Sequence, residues 1–159
     1  MYGIEYPLSK SNIWKNLYVV QVNYTTVEYM SYRQFLVAVE SAFRAKGCLA
    51  TIKNDVLLAK CLSGSIQMAY VVERDLEGFI RLSLLTDDPV EGAEGDILDY
   101  NFSLYGVKVM RDSEGFLVLA FELPEDCAML LGAGRLLKEA ERLSDLYRKV
   151  RDFLFKSRS

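Results

Sequence analysis

The chain contains no histidine. That absence removes the usual base near neutral pH and the commonest zinc ligand, and with them the imidazole-dependent hydrolases and most zinc enzymes. Cysteine is scarce, three residues with no Cys-x-x-Cys pair, which suits reduced thiols better than a metal knuckle or a disulfide framework. Glycine and proline are not enriched, at 10 and 3 of 159 residues, so the chain is neither repetitive nor disordered. No segment approaches the roughly 18 uninterrupted apolar residues of a membrane span. The opening MYGIEYPLSKSNIWK has no apolar signal core, and a cytoplasmic protein is expected. Nor does one charge dominate: 19 basic against 22 acidic side chains leave a net −3, without the sustained basic face that a nucleic-acid partner requires. The basic segment Arg148, Lys149, Arg151, Lys156 and Arg158 reads as a solvated helix face, with peripheral membrane contact as the second reading.

What is present suffices for one core and a single domain over 1–159: 51% of the residues are apolar. A tail over 1–15 precedes a β-branched, aromatic strand at 17–24, LYVVQVNY. Ser31 and Gln34 form a capping box, Tyr32, Phe35, Leu36, Val39, Ala42 and Phe43 hold one apolar stripe, and Gly47 supplies the stop, predicting a helix over 31–46. From 48 to 123 every signal is a strand signal, at 48–53, 56–62, 65–74, 79–86, 99–110 and 116–123, separated by ND, SGS, DLEG and DSEG turns. Short connections and no crossover helix predict an antiparallel meander. The acidic DDPVEGAEGD lacks the ligand register of a calcium loop and reads as a solvated connection. Pro124 opens a final helix over 124–156, with the stripe Ala133, Leu136, Leu137, Ala140, Leu143, Tyr147, Val150 and Leu154.

Two local features bear on chemistry. With Asn54 and Asp55 as a two-residue loop, facing residues have numbers summing to 109, which sets Cys48 across from Cys61 at a non-hydrogen-bonded position. Both a redox-dependent bridge and a pair of small apolar side chains fit that placement. The Gly-Ala-Gly of LLGAGRLLKEAE lacks the third glycine of a dinucleotide fingerprint, the preceding strand, and the Gly-Lys-Ser/Thr ending of a phosphate loop. Gly132 and Gly134 are therefore expected inside or at a kink of the helix, where it crosses another surface closely or bends around a cavity.

The element order resembles the α+β helix-grip fold of START domains, Bet v 1 allergens and polyketide cyclases, a seven-stranded curved antiparallel sheet wrapped on a long C-terminal helix. From Gly47 to Leu143 the strings KGC, LSGSI, VVERD and LLGAGRLLKEAERL are similar to the G-type accessory proteins of carbon monoxide dehydrogenase. That family has an acidic residue and proline between two short helices, and a proline before its GC, where this chain reads VAVESAFRAKGC. A second resemblance is to the YbjN and type III secretion chaperone fold, which wants a helix near residues 87–98.

The first resemblance implies a non-catalytic carrier for a small hydrophobic molecule, without cofactor or metal, accessory to a molybdenum hydroxylase complex as protein partner. Its cavity would be lined by the inward positions Met68, Tyr70, Leu82, Leu84, Tyr100, Phe102, Leu104, Leu119 and Phe121, with Ala133, Leu136, Leu137 and Ala140 from the last helix. The alternatives are a cyclase or dehydratase on the same fold, or a chaperone-like protein-interaction module using its sheet as a homodimer surface.

Overall fold

A computed structural model of the chain describes residues 30–102, 104 and 106–156. The tail over 1–15 and the strand expected at 17–24 lie outside the described residues. The chain divides into compact units Met1–Met30 and Ser31–Ser159, and the fold described is that of the second.

Helix α1, Tyr32–Ala45, begins at the expected capping box, with the Ser31 hydroxyl accepting from the Gln34 amide and the Gln34 side chain accepting from the Ser31 amide. It stops at Gly47, whose φ of 86° is closed to most side chains. Strands β1 (Leu49–Lys53), β2 (Val56–Ser63), β3 (Ile66–Arg74) and β4 (Phe79–Pro89) follow in antiparallel succession. Helix α2, Glu94–Phe102, then leads to β5 (Val107–Arg111) and β6 (Phe116–Pro124), and α3 (Glu125–Leu131) and α4 (Ala133–Lys156) end the described chain. The β1–β2 register is the one the Asn54-Asp55 loop requires, Leu49 opposite Lys60 and Lys53 opposite Val56, with both loop residues at positive φ. DLEG and DSEG close by one device: the Asp75 carboxylate accepts from the Glu77 and Phe79 amides, and that of Asp112 from the Glu114 and Phe116 amides.

The sheet among the described residues has six strands in the order β1-β2-β3-β4-β6-β5, not a simple meander of seven. The expected strand over 99–110 is instead the end of α2 plus β5, so Tyr100 and Phe102 are helical. The acidic connection over 87–96 is likewise the end of β4 and the start of α2. Glu94 and Asp96 sit in the first turn of α2, where the helix dipole favours them, and Ala93 and Ile97 are buried. This nine-residue helix is the crossover that lets β5 skip a place. Both β4 and β5 are antiparallel to β6, so they run in one direction with β6 between them.

The expected single helix over 124–156 is two. Gly132, at φ 85° and ψ 172°, separates α3 from α4 in a region essentially restricted to glycine. Close packing at the glycine pair is not what the structure shows. A Cβ built at Gly132 or Gly134 meets nothing within 4 Å, so Gly132 serves the turn and not a contact.

One face of the sheet, the inner face, carries Leu57, Ala59, Met68, Tyr70, Val72, Ile80, Leu82, Leu84, Leu117 and Leu119, all buried. The apolar stripes of α1 and α4 complete that core: Phe35, Leu36, Val39 and Phe43 from one, Leu136, Ala140, Leu143, Val150 and Leu154 from the other. Arg74 stacks on the Tyr32 ring at 4.4 Å at its margin.

Candidate functional site

The residues expected to line a cavity divide on the structure. Met68, Tyr70, Leu82, Leu84, Leu119, Leu136 and Ala140 are buried in the core, and Leu104, Phe121, Ala133 and Leu137 are half-buried against it. The Tyr100 and Phe102 side chains lie outside the described residues. Met68, Tyr70, Leu137 and Ala140 come together with Phe43, Ser144 and both Cys48 and Cys61 around a cleft of about 260 Å³. Its lining is mixed, with Lys46, Ser63, Glu141, Ser144 and Asp145 beside the apolar residues and Tyr70. The Tyr70 hydroxyl donates to the Ala140 carbonyl at 3.1 Å; burial pushes its ionisation upward, and the Ser144 hydroxyl opposes the shift. Lys46 and Glu141 pair at 3.6 Å on the rim. Cys48 and Cys61 stand at the facing positions that the hairpin register sets, and, against the expectation of reduced thiols, they are joined by a disulfide with Cα atoms 4.4 Å apart.

The other face of the sheet, the outer face, differs. Register places Leu49, Lys60, Ala69, Leu85, Val118 and Met110 in one row across it. Thr51, Leu58, Val71, Ser83, Ala120 and Lys108 form the next row. Ser83, Val118 and Ala120 towards β6 are buried, whereas on the first hairpin Leu49 is 77%, Leu62 75% and Leu58 36% exposed. Between these leucines stands Lys60, and Lys53 lies at the hairpin end. Neither lysine has a carboxylate partner among the described residues. A shallow groove of about 560 Å³, lined by Arg44, Leu49, Thr51, Leu58 and Lys60 among others, runs from the β1 edge onto this face. Towards β5 the charges neutralise one another: Glu122 takes Lys108 at 2.7 Å and Arg81 at 2.6 Å. The Lys108 hydrogen bond, followed by that of Arg81, holds the Glu122 carboxyl below its ordinary range.

Both edge strands are capped by side chains. The Arg44 guanidinium donates to the Ala50 carbonyl at 2.7 Å. At the opposite edge the Asn101 amide group pairs with one residue as a strand would, donating to the Val109 carbonyl at 2.7 Å and accepting from its amide at 2.6 Å.

Sequence reasoning did not single out Leu49, Leu58, Leu62, Lys60 or Asn101. A signal for the leucines exists: in VLLAKCLS both alternating sets carry aliphatic side chains, the pattern of a strand covered on two faces. Only one of those faces is covered by described elements.

Among the described residues no group of three His, Cys, Asp or Glu is placed to hold a metal ion, and no helix is long and apolar enough to cross a membrane. No family model and no curated protein matches the chain. Among solved structures it is similar to the Yersinia pestis type III secretion chaperone SycH in complex with a stable fragment of YscM2, at TM-score 0.48 and 15% identity, over 69% of this chain and 94% of that one.

Proposed function

We propose that this chain is a protein-docking module whose outer sheet face, on the β1–β2 hairpin, receives an aliphatic, carboxylate-bearing segment of a partner protein. The observation that carries this reading is the cluster of exposed leucines, Leu49, Leu58 and Leu62, around Lys60, which has no carboxylate partner among the described residues. Full burial of an exposed leucine contributes roughly 1.5–3 kcal/mol; Leu49 and Leu62, at 77% and 75% exposure, have most of that to gain, and Leu58, at 36%, a smaller part. Lys53 and Lys60 set the sign of the partner, and a second copy meeting the same patch would oppose lysine to lysine. The capped edges favour docking on the face over addition of a strand. The test is fluorescence anisotropy of the full chain with a labelled peptide of alternating leucine and glutamate, against its leucine–lysine counterpart. The glutamate peptide is expected to bind, and Leu58→Asp to abolish binding while the chain stays folded. Equal binding of both peptides, or indifference to Leu58→Asp, overturns the reading.

A second reading, small-molecule carriage, is favoured by the inner cleft, where Tyr70 and Ser144 offer hydroxyl groups beneath an apolar wall. The accessory role beside a molybdenum hydroxylase belongs to it and rests on the sequence resemblance alone. At about 260 Å³ the cleft is smaller than the ~300–1,000 Å³ typical of ligand pockets. Native mass spectrometry of freshly purified chain decides it: a retained small molecule supports carriage, and the bare mass opposes it.

A further inference from the structure

We infer that the Cys48–Cys61 bridge is a reversible thiol–disulfide exchange site whose state sets how firmly the docking face is held; the second half of this inference rests on the docking reading above. Two observations converge on it. The bridge is reachable from solvent, because both cysteines line the inner cleft and Cys48 also lines the outer groove. Of the two, Cys61 is half-buried and Cys48 buried, which makes the Cys61 sulfur the one open to attack. Finally, the bridge adjoins the patch: Cys48 precedes Leu49, and Cys61 precedes Leu62. β1 is an edge strand of five residues, and among the described residues β2 is its one strand neighbour, so the bridge adds a covalent tie beside the backbone pairing at its first residues.

The exchange balances with a dithiol reductant. One reductant thiolate attacks the Cys61 sulfur, breaks the bridge and releases Cys48 as a thiolate that takes up a proton. The second reductant thiol then displaces Cys61 and closes a disulfide within the reductant. Two electrons and two protons pass to the protein, leaving two thiols. Because register sets the pair face to face, the two thiols stay within reach of each other after reduction and the bond can re-form.

The test begins with thiol counting on the folded full chain by alkylation with iodoacetamide and intact mass. After mild oxidation one adduct is expected, on the exposed Cys127. After dithiothreitol without denaturant all three cysteines should react, and oxidised glutathione should restore the single-adduct form. One adduct after dithiothreitol, or three after oxidation, overturns the exchange site. The leucine–glutamate peptide is then titrated against oxidised and reduced chain. Reduction should weaken binding about tenfold, Cys127→Ser should keep that response, and Cys48→Ser with Cys61→Ser should bind as the reduced chain does and ignore dithiothreitol. Equal affinity of the two forms overturns the coupling while docking stands. Absence of peptide binding in either form overturns docking, and the thiol count still decides the exchange site.

Discussion

The two faces of this sheet share every strand and every register, yet one is sealed and the other partly open. On the inner face, α1 enters β1 through the tight Gly47 stop and α4 leaves β6 through the Pro124–Gly132 corner, so both apolar stripes land on the same side. On the outer face the hairpin leucines have no such cover among the described residues. An alternating strand offsets its ordering entropy on the buried side, and aliphatic side chains on the other side add little to folding and remain available for association.

The contrast can be broken or sharpened by measurement. Truncating Leu82 or Leu119, neither with any exposure, should cost about 2–5 kcal/mol in urea unfolding. Leu58→Ala, on the opposite face, should stay within about 0.5 kcal/mol; comparable losses would show that the outer face is also a core. Replacing Cys48 and Cys61 together by alanine should cost on the order of 3 kcal/mol, the loop-closure value for a sequence separation of 13, seen as a lower melting temperature under oxidising conditions and no difference under reducing ones. At the α3–α4 corner, Gly132→Ala should lose about 1–3 kcal/mol because of its backbone angles. Gly134→Ala, two residues on in open space within a helix, should gain about 0.4–1 kcal/mol. A loss at both would mean that the corner is set by crowding.

The smallest effect is alkaline. Burial pushes the Tyr32 and Tyr147 hydroxyls from 10.0 up to about 12, with the Asp88 carboxylate that accepts from Tyr147 adding to the second shift. A raised tyrosine pKa means that the fold prefers the neutral phenol. The stabilisation is complete below 10.0 and is lost as pH rises towards about 12. Halfway through that window the loss should be on the order of 1 kcal/mol per tyrosine, and Tyr147→Phe should flatten the decline.

Much of the fold was legible because it is written in local rules. The Ser31–Gln34 box, the Asn54-Asp55 loop and the DLEG and DSEG turns each encode their geometry within a few residues, and the loop alone placed Cys48 across from Cys61. Helix α2 was not legible in local signals, although the second resemblance wanted a helix near residues 87–98. Gly92, Gly95 and Pro89 argue locally for a loop, and what favours the helix is distant: Ile97 entering the core, and the Asn101 side chain holding Val109. Without that crossover no sequence rule separates a meander from the observed strand order. Gly132 was legible as a break but not as the end of one helix and the start of another, because Pro124 with Glu125 and Asp126 already opens a helical run ahead of it. The exposure of the hairpin leucines stayed hidden for a related reason: a strand with aliphatic residues on both sides looks the same whether or not the chain covers the second side.

The Asn101 clasp on Val109 has a further consequence, for life at high concentration. An uncovered outermost strand is a template on which identical chains stack into fibres, and one carboxamide occupies the two groups at its centre that such stacking would need first. Replacing Asn101 by leucine would leave those groups open to the strand of a neighbouring chain, and the change should show as thioflavin-positive aggregates where the native chain stays clear.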